Sequence, residues 1–158
     1  MQYEAKPARL SRTEQTQIVL SEHINGQGRL FGGRLMEWID IVAAVAARRH
    51  SGRNVTTASI DTLNFKAPAF VNDTIVLIAQ VTYAGNTSME VRVDSYAEAL
   101  DGERHCINTA YLVEVALDDL GRPTPVPPLL PETEEERAET EAGQRRTLLR
   151  KQRKKECF

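Results

Sequence analysis

One long segment of this chain has the pattern of a buried helix, and it limits the folds that the rest can adopt. Residues 33–50 place apolar side chains on almost every face of a helical wheel, which is typical of a helix enclosed on all sides. A Gly pair introduces this segment, and Ser51-Gly52 supplies a helix stop signal. Because such a helix needs a surrounding layer, the remaining segments of the chain must provide one.

The other segments of the first 122 residues are typical of β-strands. Val, Ile, Thr and Tyr are frequent in four segments after the helix, residues 55–65, 74–83, 88–97 and 104–116, and a shorter candidate strand precedes it at 16–21. Gly85-Asn86 and Asp101-Gly102 are hairpin signals. Tight turns join antiparallel strands, whereas parallel strands need long crossovers. We therefore predict an α+β fold, a single hotdog domain in which one antiparallel sheet wraps around the central helix.

Composition changes near Arg122. Five prolines between Pro123 and Pro131 predict a stiff extended linker over residues 123–131. Residues 132–158 then carry acidic side chains first and basic ones last, which suits a helix dipole, and Thr133 with Glu136 forms a capping-box pattern. We predict a hotdog domain over residues 8–122, this linker, and an exposed, charged helical tail.

Charge and composition argue against several classes of protein. The net charge of −2 is unlike that of a general nucleic-acid binder. No apolar run reaches the roughly 18–20 residues that cross a bilayer, and the N-terminus lacks the apolar core of a secretory signal. Cys106 and Cys157 fit no metal-ligand spacing, which predicts free thiols, no metal site and a cytoplasmic location. We expect neither nucleic acid nor a membrane as a partner.

Asp40 lies within the apolar helix, and a carboxylate in such surroundings costs stability unless it is paired or used. Gly33, at the helix start, offers backbone amide donors to a negative oxygen. The two positions are seven residues apart, which is about 10 Å along a helix. One carbonyl group cannot meet both within one helix. The spacing therefore suggests a site shared with a second subunit, whose helix runs antiparallel alongside.

The segment from Asn25 to Asp40 resembles the signature of hotdog-fold acyl-CoA thioesterases, the branch that contains short bacterial hydrolases and two-domain animal enzymes. The motif has two parts, Asn-Gly-Gln-Gly-Arg-Leu-Phe-Gly-Gly at 25–33 and Leu-Met-Glu-Trp-Ile-Asp at 35–40, and the similarity extends over about residues 10–150. The resemblance implies hydrolysis of acyl-CoA to a free acid and coenzyme A. It implies no metal or other cofactor, because coenzyme A belongs to the substrate. It also implies a homo-oligomer, a dimer at minimum and a trimer of dimers as the expected assembly.

The same resemblance assigns catalytic roles. The Gly33 amide holds the developing oxyanion of the thioester, and Asn25 orients the water or the carbonyl. Asp40 of the neighbouring subunit acts as general base on water, or as a nucleophile that forms a mixed anhydride. Both forms of the mechanism stay open. The structural alternatives are a paired buried acid at Asp40 and a loop-capping side chain at Asn25.

Coenzyme A binding is also implied by the resemblance. The expected contacts are the strand after the helix, a turn and an arginine of the trailing helix: Ala58, Ser59 and Ile60; Thr87, Ser88 and Met89; and Arg145 or Arg146. Cationic side chains suit the phosphates of the ligand. Ordinary hairpin chemistry at the turn and a solvated basic face are the alternatives. The basic end, residues 150–155, is expected only to be solvated.

Two other functions are compatible with the fold. A hotdog dehydratase has a catalytic histidine in the loop before the helix, and Phe31-Gly32-Gly33 lacks it. A non-catalytic acyl-CoA-binding sensor would use the same groove and signal through the basic tail. The presence of both Asn25 and Asp40 favours the enzyme.

Overall fold

The computed structural model describes residues 3–157. Within this range the elements are two α-helices and seven strands: β1 Lys6–Pro7, β2 Thr13–Ile18, α1 Gly32–Ser51, β3 Asn54–Phe65, β4 Thr74–Ala84, β5 Ser88–Glu98, β6 Arg104–Leu117, β7 Leu129–Leu130 and α2 Glu134–Lys155. The five longer strands form one antiparallel sheet in the order β2-β4-β5-β6-β3. This confirms the predicted sheet with its central helix.

The strand before the helix is the element that the sequence places least well. It runs from Thr13 to Ile18, several residues earlier than predicted. The chain leaves the sheet there because Ser21–His23 forms a 3₁₀ turn, in which the backbone amide of Leu20 donates to His23 Nδ1 at 3.0 Å. His23 also packs edge-on against Trp38, with ring centroids 5.1 Å apart. This histidine is thus a satisfied structural residue.

Helix α1 packs one side against the concave face of the sheet. Its inward residues are fully or almost fully buried: Leu35, Trp38, Ile39, Val42, Ala43, Ala46 and Ala47. A stripe on the other side stays uncovered, however, with Met36 at 37% and Ile41 at 48% exposure. The expectation of a helix enclosed on all sides is therefore wrong for the single chain, because the curved sheet reaches around only part of the helix.

The proline-containing segment after β6 lies against the domain. Thr124 donates its amide to the Ala116 carbonyl, and Val126, which is buried, donates to that of Asn86, both at 2.9 Å. The segment ends in β7, which pairs in parallel with β1. These contacts hold the start of α2 close to the sheet.

Helix α2 is docked on the outer face of the sheet, so the expectation of an exposed tail is wrong. Its start has the predicted capping box, in which Thr133 and Glu136 exchange hydrogen bonds. Farther along, a Cβ added at Gly143 would lie 2.9 Å from both Glu90 Oε1 and Tyr83 Cβ, so the missing side chain permits close packing. Neither helix in residues 3–157 is long and apolar enough to cross a membrane.

Candidate active site

The first turn of α1 presents free backbone donors. The Phe31 carbonyl accepts from the amides of Arg34 at 2.9 Å and Leu35 at 3.1 Å, so the amides of Gly32 and Gly33 precede the regular helical hydrogen bonds. A Cβ at Gly33 would lie 2.6 Å from the Phe31 ring. Glycine here leaves the ring in place and the helix end accessible. This end of the helix can stabilise a negative oxygen.

Asn25 lies beside this helix end. Its side-chain oxygen accepts from the amides of Gln27 at 2.8 Å and Arg29 at 3.3 Å, which is an Asx-type turn. Asn25 also lines a groove of about 390 Å³ together with Gly32 and Phe65. The loop-capping alternative is thus realised by the oxygen, while the amide nitrogen stays free of these two bonds. Asn25 and the start of α1 form one half of a candidate site.

Asp40 belongs to a second group of residues, which we call the carboxylate cluster: Asp40, Thr57 and Glu114. The Thr57 hydroxyl lies 2.6 Å from Asp40 Oδ1 and 3.0 Å from Glu114 Oε1. Thr57 on β3 and Glu114 on β6 are direct register partners. A hydroxyl group has one proton, so it donates to only one carboxylate at a time.

Glu114 is fully buried, on the concave face of the sheet. Burial raises the pKa of its carboxyl, the Thr57 hydrogen bond opposes this, and the charge of Asp40 adds to the rise, so that the pKa is about 7. Neither Thr57 nor Glu114 was among the site residues predicted from the sequence. A signal for Glu114 was present, because it occupies an inward position of the alternating run Leu112-Val113-Glu114-Val115-Ala116.

A second groove, of about 680 Å³, lies between β3, the β4–β5 turn and the end of α2; we call it the α2 groove. It brings together six residues predicted to contact coenzyme A, namely Ala58, Ser59, Ile60, Thr87, Ser88 and Met89. Four cations of α2 also line it: Arg150, Lys151, Arg153 and Lys154. The basic end of α2 therefore faces a cavity.

The cations of the α2 groove are partly fixed by acidic residues. Arg150 lies 2.8 Å from Glu90 Oε2 and 3.2 Å from Asp61 Oδ2. Arg153 lies 3.0 Å from Asp61 Oδ1. Burial favours a higher pKa for Asp61, yet hydrogen bonds from these two arginines lower the pKa below its usual value. The expectation that residues 150–155 are only solvated is wrong for both arginines.

The two predicted arginines lie elsewhere. Arg146 is 2.8 Å from Glu90 and 2.6 Å from Glu139, and its guanidinium stacks on the Tyr111 ring at 3.8 Å. It therefore holds α2 on the sheet. Arg145 is exposed, and neither arginine lines the α2 groove.

The α2 groove adjoins the carboxylate cluster. Thr57 directly precedes Ala58 on β3, and Met89 is the register partner of Glu114 on β5. Asn25 and Gly33 lie at the other end of the helix segment, with Gly33 about 10 Å from Asp40 along α1. Within one chain, Asp40 is therefore linked to the α2 groove through Thr57 without lining it, and Asn25 lies beside the helix start. Among residues 3–157 no group of three or more His, Cys, Asp or Glu side chains is placed to hold a metal ion.

Comparison with known proteins gives a consistent result. The thioesterase superfamily matches residues 27–101. The acyl-CoA thioester hydrolase YkhA of Bacillus subtilis is 43% identical over 127 residues, which covers 80% of this chain and 74% of that protein. An acyl-CoA hydrolase variant from Staphylococcus aureus, in complex with coenzyme A, superposes with a TM-score of 0.94 at 33% identity and covers 98% of this chain and 93% of that one. An apo-hexameric acyl-CoA thioesterase superposes with a TM-score of 0.91 at 42% identity and covers 95% of this chain and 97% of that one.

The Staphylococcus aureus hydrolase has also been solved with single alanine substitutions at an asparagine, an aspartate and a threonine. These three residues are spaced along that chain as Asn25, Asp40 and Thr57 are spaced here. Cytosolic acyl coenzyme A thioester hydrolases of mammals are similar as well, but this chain spans only 32–33% of their length.

Proposed function

The chain belongs to the acyl-CoA thioester hydrolases of the thioesterase superfamily, and we propose that its active site is completed where two subunits meet. It is an enzyme that hydrolyses acyl-CoA thioesters to a carboxylic acid and coenzyme A, as predicted. The observation that carries the shared site is the separation of its two halves. Asp40 contacts Thr57, which directly precedes Ala58 of the α2 groove, whereas Gly33 lies at the helix start about two turns away and Asn25 lines the groove beside that helix start.

The surface of the single chain supports such an assembly. β3 is the last strand of the sheet and pairs with β6 on one side. β3 exposes the apolar side chains of Ile60, at 36%, and Phe65, at 55%. Helix α1 exposes two more, Met36 and Ile41. Long open edges and apolar stripes are usually covered in native proteins. A second copy that pairs here, with the α1 helices antiparallel, would cover both, and three such dimers would form a hexamer.

In this arrangement the thioester carbonyl lies against the Gly33 amide of one subunit, where the helix N-terminus stabilises the oxyanion. Asn25 of the same subunit donates from its side-chain amide to the water or the carbonyl. Asp40 of the other subunit accepts the proton of the attacking water. The water oxygen bonds to the carbonyl carbon, the C–S bond breaks, and the proton held by Asp40 passes to the departing coenzyme A thiolate, so that Asp40 is ionised again. Direct attack by the Asp40 carboxylate is the alternative first step.

The α2 groove of the Asp40 subunit suits coenzyme A. Backbone groups of Ala58–Ile60 and hydroxyls of Thr87 and Ser88 match the amides of pantetheine, and Lys151 and Lys154 match its phosphates. We propose Lys151 and Lys154 for the role that the resemblance implies for Arg145 or Arg146. Cys106 and Cys157 are free thiols, which favours the reducing cytoplasm.

Complementation between two inactive variants tests the shared site. Asn25→Ala and Asp40→Ala are purified separately, mixed in equal amounts, dissociated and reassembled, and thiol release from a panel of acyl-CoA esters is followed. Random pairing places one intact site in half of the dimers, so the mixture should recover about a quarter of native activity. No recovery, with both variants folded, would mean that each subunit carries a complete site. If both single variants keep native hydrolysis, the assignment of both residues is overturned.

A further inference from the structure

We propose that Glu114 is a positioning residue for hydrolysis: its neutral carboxyl donates a proton to the Thr57 hydroxyl, which leaves Thr57 free to donate to Asp40. This inference rests on the proposed role of Asp40. Glu114 itself is fully buried, and its carboxyl contacts the Thr57 hydroxyl. Its effect on the reaction passes through Thr57.

The three distances in the carboxylate cluster favour this direction of the protons. The contact of Thr57 Oγ1 with Asp40 Oδ1 is 2.6 Å, which is typical of a hydroxyl that donates to an anion. The contacts of the same hydroxyl with Glu114 are longer, 3.0 Å to Oε1 and 3.2 Å to Oε2, which suits a bond between neutral groups. With a single hydroxyl proton, both contacts are satisfied when Glu114 carries a proton of its own.

The surroundings of Glu114 also favour a neutral carboxyl. It lies between the buried Leu112 and Ala116 on β6. The facing elements contribute the hydroxyl of Thr57 from β3, the apolar Met89 from β5 and the carboxylate of Asp40 from α1. Within residues 3–157, no lysine or arginine forms an ion pair with Glu114, whereas the buried Glu90 on the neighbouring strand has two arginine partners. The raised pKa of Glu114, about 7, agrees with this.

The consequence for catalysis is an oriented Asp40. When Thr57 donates only to Asp40, one carboxylate oxygen is fixed and the other is free to face the substrate. Once Glu114 loses its proton, Thr57 has two anionic acceptors, and a second negative charge lies next to Asp40. We therefore expect kcat to fall as pH rises through the ionisation of Glu114, with little effect on KM.

The test compares Glu114→Gln and Glu114→Leu with a core control, Leu112→Val, in the full-length enzyme. Thiol release from one short acyl-CoA ester gives kcat and KM between about pH 5.5 and 9. At the acidic end the Leu variant should lose at least about tenfold in kcat with KM within about twofold, because Thr57 loses its partner. Glutamine can still donate to Thr57, so it should restore most of that loss and lack the alkaline decrease. The control should lower the melting temperature and leave the pH profile unchanged.

Asp40→Ala, measured in parallel, separates the two proposals. If Asp40→Ala is inactive but Glu114→Leu keeps native kcat, or Glu114→Gln keeps the alkaline decrease, the role of Glu114 is overturned while that of Asp40 stands. If Asp40→Ala keeps native activity, both are overturned. Should the Leu variant fail to fold, the pH profile of the Gln variant decides the question alone.

Discussion

The ionisation of Glu114 should reduce the stability of the folded protein, and this effect has a defined pH window. The pKa of Glu114 rises from 4.5 to about 7 on folding. A group whose pKa is higher in the folded state makes its full contribution to the free energy of unfolding at pH values below its pKa in the unfolded chain. This contribution is lost as the pH rises toward the pKa of the group in the folded protein. About 2.5 pKa units at about 1.4 kcal/mol each correspond to a loss of about 3 kcal/mol between pH 4.5 and pH 7.

Glu114→Gln removes the titrating group at nearly constant volume. The free energy of unfolding of this variant, relative to the native protein, should therefore rise by about 3 kcal/mol between pH 4.5 and pH 7.5. Urea denaturation at several pH values, at fixed protein concentration because of the expected oligomer, measures the difference. Leu112→Val provides the matched control, since its loss of apolar volume should be independent of pH.

A stability difference between Glu114→Gln and the native protein that stays constant across this window would refute the reasoning. It would mean that Glu114 keeps an ordinary pKa despite its burial, for instance through water in the folded oligomer. A difference that falls as pH rises would mean the opposite, an ionised Glu114 that is stabilised in the folded state. Either result would also remove the physical basis for a neutral donor to Thr57.

Three further perturbations test other parts of the structure. Gly143→Ala should lower the melting temperature, because the new Cβ would meet atoms of the sheet at 2.9 Å. This effect opposes the helix propensity of alanine, which is more favourable than that of glycine by about 1 kcal/mol. A higher melting temperature would contradict the close packing of α2. Glu90→Gln should cost about 3 kcal/mol in urea denaturation at neutral pH, since it leaves two arginines short of their buried partner; an unchanged midpoint would contradict this. The double change Lys151→Ala, Lys154→Ala should raise KM for acyl-CoA about tenfold without changing kcat, whereas the exposed Lys155→Ala should leave KM unchanged.

The sequence predicted those parts of the fold that depend on local pattern. The content of Val, Ile, Thr and Tyr, together with the hairpin signals, placed β3 to β6 within one or two residues. Asp40 was recognisable as a polar residue in an apolar helix. Glu114 carried a similar signal in the alternating run of β6, but its contact with Thr57 was not recognisable, because it joins β3 to β6, which no hairpin connects, and the register includes an irregularity next to Thr57. The register of two strands can be counted from the turn of a hairpin that joins them, and β3 and β6 are not joined by such a turn.

The position of α2 was missed for a related reason. The outward residues of β5, Glu90, Arg92 and Asp94, are all charged, which is ordinary for a strand that faces solvent. In the structure Glu90 is 1% exposed and Arg92 binds Glu139 of α2, so these charges contact the helix. Charge complementarity between a strand and a distant helix has no periodic signature. The proline-containing segment, which brings α2 back to the sheet, was interpreted as a spacer.

Glu90 and Glu114 show how one sheet places two buried acids in opposite charge states. They lie on neighbouring strands, are 1% and 0% exposed, and face opposite sides of the sheet. Burial alone would raise the pKa of both. Hydrogen bonds from Arg146, Thr82 and Arg150 outweigh burial at Glu90 and lower its pKa, whereas Glu114 has a hydroxyl and a second carboxylate as neighbours, so its pKa rises. The outer face therefore uses an ionised acid to hold a helix, and the inner face keeps a neutral acid whose proton is available to the carboxylate cluster. Burial therefore sets the direction of the pKa shift at Glu114, whereas at Glu90 the arginine and threonine partners reverse it.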